Sequence, residues 1–163
     1  MKKRTAMLVY ASMAAALIGL ATMFIQIPVP MVNGYCNLGD TMILSSGALL
    51  GPWGAASAAV GSALADILLG WPEYAPATAV IKGLMGLIAG TLCLKEKKIW
   101  KRILWMVSAE CIMVGGYFLF ETIMFGAAGA AASLLGNGCQ AVAGVAGGLV
   151  LWPLMGRIRK NIR

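Results

Sequence analysis

The chain has 163 residues, 60% hydrophobic and 12% charged, with a mean hydropathy of +0.83. Soluble domains carry about 25% charged residues, so this chain has too few to cover a water-facing surface. It reads as an all-α integral membrane protein, and its net charge of +7 reflects topology rather than affinity for nucleic acid.

Lone strands leave backbone groups unsatisfied in lipid, so helices are the expected spanning elements. Each needs ~20 mostly apolar residues. Apolar segments lie at about 6–26, 39–50, 53–69, 78–94, 102–121 and 130–156, which predicts a single six-helix domain over residues 1–163. The second segment is short. At the helical rise it covers only ~18 Å, less than the hydrocarbon layer.

Charge placement orients this bundle. Lys2, Lys3 and Arg4 precede the first segment, Lys95, Lys97, Lys98, Lys101 and Arg102 separate the fourth from the fifth, and Arg157, Arg159, Lys160 and Arg163 follow the sixth. Of the 13 basic residues only Lys82 lies elsewhere. Basic residues favour the cytoplasmic side, so both termini are expected inside. The first apolar run lacks a small-x-small cleavage site and is expected to remain as a span.

Three connections then face outward. Ile27–Gly39 holds Pro28, Pro30, Asn33, Gly34, Tyr35 and Asn37, a mixture that resists helix. Gly70–Ala77 holds Trp71, Pro72, Tyr74 and Pro76, and Phe125–Ala132 is rich in Gly and Ala and reads as a loop. Together they can close over a ligand, with Asn33, Tyr35, Asn37, Trp71 and Tyr74 as candidate contacts. Anchoring at headgroup level is the competing role for Trp71 and Tyr74.

Ionisable groups at membrane depth are costly and mark either buried pairs or functional sites. Asp66 lies four residues before Gly70 and Lys82 four after Thr78, each ~6 Å from the outer end of its helix. Asp40 opens the second helix near the same level. These three form a candidate ion pair or network joining helices, and Lys82 is also a candidate ligand contact.

In the fifth segment Glu110, Val114, Tyr117 and Glu121 are spaced by 4, 3 and 4 residues, which places them on one stripe. Asn137 and Gln140 are neighbours on the sixth. Carboxylates, a phenol and amides around an apolar pocket suit a small polar ring compound. Helix–helix hydrogen bonding is the alternative role for each. Ala11, Ala15 and Gly19 form a small-residue row on the first helix, with Ser12 and Ala16 beside it; such rows serve internal packing or external docking.

Cys36, Cys93, Cys111 and Cys139 show no metal-ligand spacing, and the chain has no His. No metal, cofactor or catalytic residue is expected, and packing is the simplest role for the thiols.

The ordered set Gly39-Asp40, Gly51-Pro52-Trp53-Gly54, Ala65-Asp66 with Gly70, Tyr74 with Pro76 and Thr78, and Lys82-Gly83 resembles the substrate-binding (S) components of energy-coupling factor (ECF) transporters, nearest to the riboflavin-type subfamily. The resemblance is dense over residues 34–90 and its six-span plan covers the chain. It implies a multi-pass subunit of a prokaryotic cell membrane that captures a small water-soluble vitamin from outside. It also implies docking through Ala-x-x-x-Ala, matched by Ala11 and Ala15, to a transmembrane coupling subunit and two cytoplasmic ATPases. No Walker A motif occurs here, so ATP hydrolysis is expected in those partners and the chain is not expected to be an enzyme. Members of the subfamily take riboflavin, vitamin B6 or hydroxymethylpyrimidine, and Glu110 and Glu121 incline the reading towards the smaller pyridine or pyrimidine compounds. An autonomous ion- or proton-coupled carrier of a small polar metabolite is the alternative.

Overall fold

A computed structural model describes residues 2–28 and 35–162. Helix α1 (Lys2–Phe24) leads into a short antiparallel hairpin, β1 (Gln26–Pro28) and β2 (Tyr35–Asn37), in which Ile27 pairs with Cys36. Then come α2 (Gly39–Leu50), α3 (Trp53–Leu68), α4 (Ala75–Ile88) with a π-helical turn over Ala89–Cys93, and α5 (Ile99–Ile162). Among the described residues, all regular structure apart from that hairpin is helical.

Ten of the twelve residues of α2 are buried, so the helix lies at the centre of the bundle. Its polar side chains satisfy themselves there: Ser45 donates to the Thr41 carbonyl at 2.7 Å and Ser46 to that of Ile43 at 2.8 Å. Around α2 the core is built from Ile18, Ile43, Leu44, Met85, Met106 and Met113, all fully buried. Burial on every side suits a short helix that leans on its neighbours. Conversely, Leu8, Val9, Met13, Leu17 and Leu20 stand exposed along α1, as a lipid-facing surface requires.

Helices Arg4–Phe24, Ala75–Cys93 and Ile99–Ile162 are long and apolar enough to cross a membrane, and Trp53–Leu68 is a shorter apolar helix. The longest of these is two helices. Gly126 (φ 77°, ψ 168°) breaks it into a first arm, 99–125, and a second arm, 127–162. Positive φ is open to glycine without the Cβ clash other residues meet. This corrects the expected outer loop over Phe125–Ala132: the Ala-rich stretch after Gly126 is helical, because Ala has the highest helix propensity and one glycine suffices for the turn.

The small-residue row of α1 packs inward. Ala11 is buried and its carbonyl accepts from Ser57 Oγ at 2.9 Å, while Gly61 of α3 lies against the backbone of Ala15 and Gly19. Within this chain, Ala11, Ala15 and Gly19 lie where α1 and α3 come into close contact, as small residues permit. The neighbouring row, Ser12 and Ala16, is exposed.

Candidate functional site

A cavity of about 570 Å³ opens among the ends of α1, α3 and α4, the hairpin and both arms of α5. Its floor is a chain of polar contacts. Lys82 Nζ of α4 donates to Asp40 Oδ1 of α2 at 2.5 Å, and Gln140 Nε2 of the second arm donates to Asp40 Oδ2 at 2.7 Å. Gln140 Oε1 in turn accepts from Asn37 Nδ2 at 2.8 Å, and Asn37 Oδ1 accepts from the backbone of Gly39 at 2.8 Å. Both charges are buried, Asp40 at 0% and Lys82 at 5% exposure. The pair thereby avoids the penalty that either charge would meet alone.

A second group of contacts forms one wall. Glu121 of the first arm accepts from Ser133 Oγ across the Gly126 break, and from the Tyr74 phenol at 3.4 Å. Asn137 Nδ2 reaches Ser133 Oγ at 3.4 Å, one helical turn on. Deeper in, the hydroxyls of Thr78 and Tyr117 share a hydrogen bond of 2.9 Å, and the Lys82 ammonium lies 5.4 Å from the centre of the Tyr117 ring.

Aromatic rings form a ledge over this polar interior. Tyr74 meets Trp71, Phe120, Phe125 and Tyr117 at centroid separations of 6.3, 5.0, 6.4 and 6.5 Å. The turn after α3 positions it. Gly70 (φ 88°) ends the helix, with its N–H on the Ile67 carbonyl and the Trp71 N–H on that of Asp66. That paired arrangement is a Schellman cap, which needs a left-handed residue and here turns Trp71 and Tyr74 back over the cavity. Burial and the nearby Glu121 carboxylate push the Tyr74 phenol up to about 12, so it stays a neutral donor. The Cys36 thiol, on the hairpin, is likewise raised by burial.

Eight candidates from the sequence line this one space: Asn37, Trp71, Tyr74, Lys82, Tyr117, Glu121, Asn137 and Gln140. Asn33 and the side chain of Tyr35 lie outside the described residues. Glu110 is not in the lining. It sits below the floor at 2% exposure, packed with Asp40 around Gly144, with no hydrogen bond of normal geometry to either oxygen. Asp66 also lines the cavity: the direct ion pair of Lys82 is with Asp40, and Asp66 lies within reach of the Lys82 charge and of the Thr78 hydroxyl. Thr22, Ser62 and Ser133 complete the polar lining, as positions the sequence did not single out. Isolated hydroxyls in apolar helices give no periodic signal of which cavity they face.

The family described as ECF-type riboflavin transporter, S component, matches residues 2–159. The chain belongs to this family. As an ECF S component it is a membrane-embedded, multi-pass transport subunit rather than a member of an enzyme class. It is also 38% identical, over 127 residues covering 77% of this chain and 85% of the relative, to a Pyrococcus woesei protein described as "Uncharacterized protein in gap 3'region".

Proposed function

We propose that this chain captures a flat, nitrogen-containing ring vitamin from outside the cell and delivers it to an ECF coupling subunit and two cytoplasmic ATPases. The cavity carries this reading: about 570 Å³, an aromatic ledge suited to a planar ring, and fixed polar groups beneath it. Drug-sized ligands occupy pockets of ~300–1,000 Å³ lined by rings and a few placed polar groups. Riboflavin, which the family description names, is the first candidate, with hydroxymethylpyrimidine and vitamin B6 as the smaller alternatives.

The proposed orientation puts both termini in the cytoplasm of a prokaryotic cell, with six segments in the bilayer and the cavity facing out. It rests on the basic residues at the termini and between Lys95 and Arg102. The hairpin is the natural cover, since Asn37 ties it to Gln140 in the floor.

Titration of the purified chain with riboflavin, hydroxymethylpyrimidine, pyridoxine and thiamine, following quenching of its five Trp residues, tests the reading. Saturable nanomolar binding of one compound is expected. Silence across the panel from folded protein would sink it. The buried Glu110 carboxyl beside Asp40 favours a second reading, an ion- or proton-coupled carrier. Uptake by the chain alone in liposomes under a proton gradient distinguishes that reading from capture.

A further inference from the structure

Two polar groups on the α3 wall have no hydrogen bond of normal geometry: Ser62 Oγ and Asp66 Oδ2. Both residues line the cavity, and Ser62 is 2% exposed. Buried polar groups are nearly always partnered, and an orphan in a native structure requires an explanation. A serine within a helix can satisfy itself on the carbonyl one turn back, as Ser45, Ser108 and Ser12 do here. Ser62 does not. Four residues apart, Ser62 and Asp66 stand one above the other on one face of α3, with Cβ atoms ~5–6 Å apart.

The rest of the polar lining is largely committed. Lys82 and Gln140 hold Asp40, Asn37 holds Gln140, Ser133 holds Glu121, and Thr78 is shared with Tyr117. The α3 wall therefore carries the strongest unmet demand in the cavity. An ionised carboxylate only accepts hydrogen bonds, whereas a hydroxyl can donate one. Together they match a ring edge that presents an N–H beside a carbonyl or a ring nitrogen.

We infer that Ser62 and Asp66 form the specificity edge of the cavity, reading the N–H and adjacent acceptor of a pyrimidine-type ring while the aromatic ledge holds the ring's face. This rests on the capture reading above and narrows it. The pyrimidinedione edge of riboflavin and the aminopyrimidine edge of hydroxymethylpyrimidine both offer the pattern. Pyridoxine, which has no N–H beside an acceptor, does not. A site built to hydrogen-bond an N–H rejects analogues lacking it, because its own polar groups are then left unpaired.

The test is a cycle of ligand and side-chain changes in the full chain in detergent. Riboflavin is compared with N3-methylriboflavin, and hydroxymethylpyrimidine with its 4-dimethylamino analogue, on wild type, Asp66→Asn and Ser62→Ala. Methylation is expected to weaken wild-type binding at least tenfold, and Asp66→Asn to weaken binding of the unmethylated compound at least fivefold. In Asp66→Asn the methylation penalty should shrink to about twofold, since coupled groups are non-additive. The same penalty in Asp66→Asn as in wild type overturns the inference and leaves capture standing. So does tight binding of pyridoxine alone. Failure of the folded wild type to bind any compound overturns both readings. Unchanged thermal unfolding of Asp66→Asn shows that the lost affinity is not lost fold.

Discussion

Lys82 and Asp40, 42 residues apart, meet at 2.5 Å in the middle of the bundle, where both are almost wholly buried. The contact joins α4 to the start of α2 and forms the floor on which a ligand would rest. Removing one member of a buried pair strands the other charge, which costs about 3–5 kcal/mol, whereas removing both for apolar groups of similar volume is often neutral. Asp40→Asn should therefore lower the unfolding midpoint in detergent sharply, and Asp40→Leu combined with Lys82→Met should recover most of the loss. Equal midpoints for Asp40→Asn and wild type would mean that the pair contributes nothing to stability.

Gln140 satisfies both ends of its amide at once, donating to Asp40 and accepting from Asn37. It is thus the link between the ion pair and the hairpin. Each such bond contributes about 0.5–1.5 kcal/mol, more where one partner is charged. Gln140→Leu keeps the bulk and removes both bonds, so ligand dissociation should accelerate about tenfold with little change in association. Stopped-flow Trp fluorescence reads the two rates separately. An unchanged dissociation rate would show that the hairpin is held by other contacts.

Close backbone approach yields a third prediction. A methyl group on Gly144 would run into Glu110 and Asp40, while one on Gly138, six residues earlier on the same arm, would meet nothing within 4 Å. Overpacking typically costs about 1–3 kcal/mol, whereas Gly to Ala at an open helical site gains up to about 1 kcal/mol. Gly144→Ala should therefore lower the unfolding midpoint and Gly138→Ala should hold or raise it. The same shift in both would mean that the second arm does not press on α2 as described.

The sequence made the charges legible and left their partners open. Lys82 and Asp40 stood out because ionisable groups are rare in apolar helices, and Asn137 and Gln140 because two amides one turn apart share a face. The Glu110–Glu121 stripe shows the limit of periodicity. Eleven residues separate them, so they share an azimuth but differ by ~16 Å along the axis. Glu121 reaches the cavity wall and Glu110 lies below the floor. Small-residue rows behave similarly: Ala11, Ala15 and Gly19 announce a close approach without naming the neighbour, which is α3. Ser62 and Thr22 carried no signal, since a lone hydroxyl in a helix is ordinary until its surroundings are seen.

Tyr74 supports the last prediction, which separates its ring from its hydroxyl. Four aromatic neighbours surround the ring, with Phe120 nearest at 5.0 Å, while the hydroxyl makes one long bond of 3.4 Å to Glu121. Tyr74→Phe should leave ligand affinity within about threefold, given the small net worth of one such bond, and Tyr74→Ala should lower it about tenfold or more by removing the face on which a ring stacks. The hydroxyl should instead appear in the pH dependence of stability. Folding raises the phenol from 10.0 to about 12, so the folded chain keeps this proton where the unfolded chain has lost it. The unfolded state then binds fewer protons, and stability contributed by Tyr74 is complete below about pH 10 and declines as pH rises towards 12. Unfolding midpoints measured from neutral to alkaline pH should fall less steeply for Tyr74→Phe than for wild type. Parallel curves would show that the phenol is no more buried than in the unfolded chain, and the ledge would then have to be redrawn without it.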